Sequence, residues 1–109
     1  MSGARVPYTN LVAVIDVTVV GFLSMVCYRT FFGELGTALI NELVVSEAFR
    51  GRGIGRALVR RAMDEAGNAG MDEIEAGTET ANAGAIEFYR KAGFDEEHVL
   101  PGKGLRPLL

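Results

Sequence analysis

The chain contains one cysteine, Cys27, one histidine, His98, and three prolines. A lone cysteine excludes an internal disulfide and suits a reducing compartment. It lies in an apolar run, where a buried, inert thiol is the simpler reading. No metal ligand set is read from the sequence. Positive charge is not in excess either. Lys and Arg total 11 against 14 Asp and Glu, net −3, which argues against nucleic acid as the main partner. Residues 1–10 carry one charge, Arg5, and no apolar block, so no secretory signal is expected there. Residues 11–32 form the most apolar stretch, but Asp16, Gly21 and Arg29 interrupt it. Its Val and Thr content fits two buried strands joined by a turn better than a membrane span. A soluble, cytoplasmic protein is expected.

What is present points to one domain, residues 1–109, since 49% hydrophobic residues in 109 suffice for one core. No internal repeat, low-complexity linker or second domain is apparent. The chain is organised around residues 39–66. There an apolar run (Leu43, Val44, Val45) leads into Arg50, Gly51, Arg52, Gly53, Ile54, Gly55 and Arg56, and then an amphipathic helix. Alternate glycines before a helix let the backbone approach a ligand closely. The unpartnered N–H groups of the first turn and the positive end of the dipole make an anion site. Three arginines concentrate positive charge there, so a phosphate or pyrophosphate is the expected guest.

Spacing separates the known phosphate loops. No Lys is followed by Ser or Thr, which excludes a G-x-x-x-x-G-K-[ST] loop. A G-x-G-x-x-G fingerprint fails because Arg56 stands at the third glycine's place and residues 46–50 separate strand from glycines. The pattern R-x-x-G-x-G is met by Arg50, Gly53 and Gly55. A mere helix-capping turn is the bland alternative, but it requires neither three arginines nor three glycines.

In chain order, residues 1–9 read as an irregular lead-in and 11–15 as a strand. Residues 16–18 read as a tight turn, and 19–29 as a long strand with a bulge at Gly21. Residues 30–37 read as a loop carrying Phe31 and Phe32, which either line a pocket or anchor the loop. Residues 38–45 form a third strand. The following helix places Ile54, Leu58, Ala62 and Ala66 on one face, with Arg60, Arg61 and Asp64 toward water. Gly67 and Gly70 mark its end. Residues 71–77 alternate as a fourth strand, so strand, helix and strand form a right-handed βαβ unit with parallel pairing. Residues 80–82 initiate a helix over 83–92, ended by Gly93. A short last strand is expected near 97–100, bounded by Pro101.

The last helix supplies a second pattern, N-x-x-A-x-x-F-Y-x-x-x-G-F, over residues 82–94. Asn82 and Tyr89 are two turns apart and share a face, with a rise of about 10 Å between them, which suits an elongated ligand. Together with the glycine loop, in this order, the chain resembles the GNAT superfamily of acyl-CoA-dependent N-acetyltransferases from about residue 11 to 94. The resemblance implies an α/β (α+β) fold, a mixed sheet with a central βαβ acyl-CoA-binding unit. It also implies acetyl transfer from acetyl-CoA to a primary amine, of a small molecule or protein, by direct attack in a ternary complex.

On that resemblance, backbone groups of Leu43, Val44 and Val45 hold the pantetheine and polarise the thioester. Arg50 and the N–H groups of Gly51, Arg52, Gly53, Ile54, Gly55 and Arg56 hold the pyrophosphate, while Asn82, Ala85 and Tyr89 line the pantetheine arm. Tyr89 matches the acid that protonates the departing thiolate; a core tyrosine is the alternative. Glu42 matches a base or amine-binding position, although strict alternation puts it on the face opposite Leu43, so it serves only if the strand is locally bulged or its face opens to the acceptor cleft. Asn41 is its polar neighbour. His98 has a pKa suited to base chemistry but lies beyond the motifs and reads as a surface residue.

Members of the superfamily usually carry a strand and two helices before the strand placed at residue 11, and this chain reads as lacking them. A fragment, a minimal member and a protein completed by a partner subunit all fit. Uncovered apolar surface would favour a homodimer. The rival reading is a non-catalytic acyl-CoA sensor, which would need neither Tyr89 nor Glu42, or an inactive fragment. Net charge −3 and Glu42 are compatible with a cationic acceptor, and the sequence does not specify which.

Overall fold

The computed structural model of the chain describes residues 8–29, 35–77 and 83–94. Phe31, Phe32, Asn82, His98 and the strand expected near residues 97–100 lie outside the described residues. The elements are β1 (Tyr8–Ile15), β2 (Thr18–Arg29), β3 (Gly36–Val45), a 3-10 turn (Glu47–Phe49), α1 (Ile54–Asn68), β4 (Glu73–Ala76) and α2 (Ala83–Lys91). The sheet order is β1-β2-β3-β4. The first two pairings are antiparallel and β3–β4 is parallel, with α1 as the crossover. The sheet is therefore mixed and built around a βαβ unit, as the sequence pattern predicts.

β1 starts at Tyr8, earlier than the expected lead-in allows, because Tyr8 and Thr9 pair with Val26 and Met25. The β1–β2 turn is two residues long, and Asp16 and Val17 both have positive φ, 47° and 63°, the geometry that matches hairpin twist. The expected bulge is displaced by one residue. Pairing steps from Ala13–Gly21 to Val14–Val19, so Val20 is the extra residue. Gly21 serves packing instead: a Cβ there would stand 3.0 Å from Leu58 Cδ1 and 3.1 Å from Ile54 Cγ2. Its absence brings α1 down onto the sheet.

The core joins Leu23, Met25 and Cys27 of β2, Ala38 and Ile40 of β3, and Leu58, Val59, Ala62 and Ala66 of α1. The α1 stripe is the one its periodicity predicts, widened by Val59. Full burial of a side chain such as Leu23 or Ile40 contributes about 1.5–3 kcal/mol. Burial pushes the Cys27 thiol above its usual range, consistent with an inert core cysteine. On the sheet face turned from α1, Tyr8, Val12 and Val14 stay exposed. No helix among the described residues is long and apolar enough to cross a membrane.

Both helices end by the same glycine device. In α1, Gly70 has φ +79°, Gly70 N donates to Gly67 O and Met71 N to Ala66 O, both 3.0 Å. Gly67 thus belongs to the last turn and Gly70 alone is the stop. In α2, Gly93 has φ +109°, with Gly93 N donating to Arg90 O at 3.1 Å and Phe94 N to Tyr89 O at 3.0 Å. This is the pair of bonds of a Schellman cap. The Phe94 ring packs on Tyr89 with centroids 5.2 Å apart, so the terminal G-F of the second pattern is a helix stop with its hydrophobic latch.

Candidate functional site

The β3–β4 ladder ends early. Its last registered pair is Ile40–Ala76, followed by Gly77 N donating to Ile40 O at 3.4 Å. From Asn41 to Val45 no strand among the described residues pairs with that side of β3. Pairing with β2 continues, but steps from Met25–Ile40 to Ser24–Glu42, leaving Asn41 as an extra residue. β3 is therefore bulged at Asn41, while Glu42 and Leu43 pair in succession with Ser24 and Leu23 and so keep opposite faces. The signal was in the sequence: two adjacent polar residues interrupt an otherwise apolar strand.

The bulge decides which backbone groups face the open side. Ser46 N donates to Val20 O at 2.8 Å, so the trans peptide turns the Val45 carbonyl away from β2. Alternation then turns the N–H and C=O of Leu43, and the N–H of Val45, the same way, and those of Val44 toward β2. Of the three expected backbones, two look into the open side. Val44 instead exposes its side chain, at 54%. Asn41 and Glu42 are both exposed.

The link to α1 begins with the 3-10 turn, in which Phe49 N donates to Ser46 O at 2.9 Å. Arg50, which is exposed, folds back along the chain, its Nε donating to the Val45 carbonyl at 3.1 Å. The Arg52 guanidinium lies over the Phe49 ring, 5.1 Å from its centroid. α1 begins after Gly53, whose carbonyl accepts from Ala57 N at 3.0 Å, and no side chain caps it. Its first N–H groups are thus left for a guest. Arg56 is exposed in that first turn.

The three glycines differ in purpose. Gly51 and Gly53 have φ +81° and +82°, and a Cβ on either would meet nothing within 4 Å. They serve the left-handed bend of the loop. At Gly55 a Cβ would lie 3.3 Å from Phe88 Cζ and 3.7 Å from Val45 Cγ2. Gly55 is the point where β3, α1 and α2 meet, a role the alternating glycines did not reveal because the partner is 33 residues away in the sequence.

Tyr89 follows Phe88, with ring centroids 5.2 Å apart in an edge arrangement. It is partly buried against the core, and desolvation raises its hydroxyl above the usual value of 10.0. The phenol is therefore protonated at neutral pH and able to donate. Ala85 is half-buried in α2. Among the described residues no group of three or more His, Cys, Asp or Glu is placed to hold a metal.

The acetyltransferase (GNAT) family model matches residues 3–94. An uncharacterized N-acetyltransferase of Methanocaldococcus jannaschii is 39% identical over 84 residues, covering 76% of this chain and 37% of that protein. The L-methionine sulfoximine/L-methionine sulfone acetyltransferase of Salmonella typhimurium is 32% identical over 99 residues, 91% of this chain and 57% of its own. The crystal structure of an aminoglycoside acetyltransferase from an uncultured soil metagenomic sample, in complex with sisomicin, superposes with TM-score 0.82. It is 22% identical and covers 92% of this chain and 66% of that one. The chain spans between 37% and 57% of the two curated relatives.

Proposed function

The chain belongs to the GNAT acetyltransferase family, and we propose that it carries the acetyl-CoA-binding and transfer machinery of an N-acetyltransferase acting on a primary amine. The observation that carries this reading is a single convergence. The side of β3 that no described strand pairs with beyond Asn41, the start of α1 without a side-chain cap and the helix bearing Tyr89 meet around Gly55.

The N–H and C=O of Leu43 and the N–H of Val45 offer strand-like hydrogen bonds to the pantetheine amides, and the Val44 side chain lies alongside. N–H groups from Gly51 to Arg56 take the pyrophosphate, with Arg52 and Arg56 adding charge. Asn82 and Ala85 are assigned to the pantetheine arm on the family pattern. The acceptor amine, freed of its proton by Glu42, attacks the thioester carbonyl. The C–N bond forms, and a backbone N–H of β3 holds the developing oxyanion, a contribution of about 3 kcal/mol per donor. The C–S bond then breaks, the thiolate takes the Tyr89 proton, and the second proton shed by the attacking nitrogen returns to the Tyr89 phenolate. Products are the N-acetyl amine and CoA. The relatives named above support small amines as acceptors. Pairing of two copies through the exposed β1 face is part of the same proposal.

Calorimetric titration with acetyl-CoA tests the cofactor reading, with Gly53→Asp as control. Micromolar binding that the variant loses is the expected result. Acetyl-CoA consumption with a panel of amines then tests transfer. Tight binding without turnover on any amine would favour the sensor.

A further inference from the structure

Arg50 begins the R-x-x-G-x-G pattern, and an arginine at a phosphate loop invites the reading of a phosphate contact. The structure turns it elsewhere: its Nε donates to the Val45 carbonyl at 3.1 Å. The peptide joining Val45 to Ser46 is thereby held at both ends, since Ser46 N already donates to Val20 O at 2.8 Å. Between these anchors the 3-10 turn closes on itself through Phe49 N to Ser46 O at 2.9 Å and Arg50 N to Glu47 O at 3.3 Å. The link between the open side of β3 and the start of α1 is thus fixed from within.

We infer that Arg50 is a positioning residue: its Nε clasps the Val45 carbonyl, sets the reach from β3 to α1, and withdraws that carbonyl from the open side. Its charge is dispensable, because Arg52, over Phe49, and Arg56 supply the positive field. The consequence for acyl-CoA rests on the reading above. The clasp itself does not.

Covalent geometry provides the test. In Gln, Nε2 stands the same number of bonds from Cα as Arg Nε, so Arg50→Gln keeps the donor and removes the charge. In Lys a methylene occupies that place, so Arg50→Lys keeps the charge and removes the donor. Amide exchange of Phe49 and Arg50's own N–H (position 50 in each variant) is followed by NMR in the ligand-free chain, and acetyl-CoA affinity by calorimetry. In Arg50→Gln both stay within about twofold of wild type, whereas Arg50→Lys exchanges faster and binds about fivefold more weakly, the loss of one hydrogen bond. The reverse order, Lys equal to wild type and Gln impaired, overturns the inference, as does unchanged exchange in both variants. If the wild type does not bind acetyl-CoA, the acyl-CoA reading fails, and the exchange data still decide the clasp.

Discussion

The Phe88 ring stands on Gly55: its Cζ lies 3.3 Å from the point that a Cβ at residue 55 would occupy. Through this contact the phosphate-type loop and the helix bearing Tyr89 form one packed unit. Gly55→Ala forces Phe88 outward by a few tenths of an ångström. Overpacking costs about 1–3 kcal/mol, and the better helix propensity of Ala offsets up to about 1 kcal/mol of it. The melting temperature should therefore fall, by about 4–8 °C for each kcal/mol of net cost. Turnover should fall about tenfold, because small misplacements of a reacting group are expensive in rate. Gly55→Ala combined with Phe88→Leu should recover part of that loss. Full activity in Gly55→Ala alone would show that the contact does not transmit to Tyr89.

Tyr89→Phe removes the proton donor and leaves the ring that packs on Phe88 and Phe94. Turnover should drop about 100-fold, the lower end for general acid catalysis, with KM for acetyl-CoA within about twofold. The pH dependence follows from desolvation, which raises the Tyr89 pKa above 10.0. A raised pKa extends the protonated, donating form upward in pH. Wild-type kcat should therefore not decline between about pH 7 and pH 9 through loss of this proton. The same shift gives a stability contribution that is present below pH 10.0 and lost as pH rises through the folded value. An alkaline fall in kcat centred below pH 9 that Tyr89→Phe abolishes would contradict the raised pKa, whereas unchanged turnover in Tyr89→Phe would defeat the assignment.

Much of this architecture is written locally and was legible. The α1 stripe follows from the spacing of Leu58, Ala62 and Ala66, and the βαβ unit from the strand patterns on either side. What escaped depends on partners distant in sequence. Nothing near Gly21 or Gly55 announces Leu58 or Phe88, so from sequence alone one reads as a bulge and the other as a ligand approach. The start of β1 at Tyr8 depends on pairing with Val26. The back-turn of Arg50 depends on which way the Val45 carbonyl points, and that parity is set by the extra residue at Asn41. Glu42 is the intermediate case: the strand is bulged beside it, at Asn41, but Glu42 still alternates with Leu43.

Gly53 separates conformation from space. Its φ is +82° and a Cβ would meet nothing within 4 Å, so any penalty for a side chain is purely torsional. Gly53→Ala should cost about 1–2 kcal/mol, the penalty of a left-handed L-residue. Gly53→Asn, better suited to that region, should cost less. Thermal melts and acetyl-CoA titration should rank the proteins wild type, Asn, Ala in the same order. Equal stability of Ala and Asn variants would mean that the bend relaxes out of the left-handed region.

Glu42 tests the chemistry beside the bulge, on the stretch of β3 that leads toward the phosphate-type loop. It is exposed and pairs in register with Ser24, so Glu42→Gln removes a base without disturbing the core. Stability should change by less than about 0.5 kcal/mol. Turnover should fall about 100-fold while acetyl-CoA affinity holds. If raising the pH restores the variant's rate toward wild type, the lost function was removal of the amine proton. An unaltered rate at neutral pH would return Glu42 to the status of a solvated carboxylate.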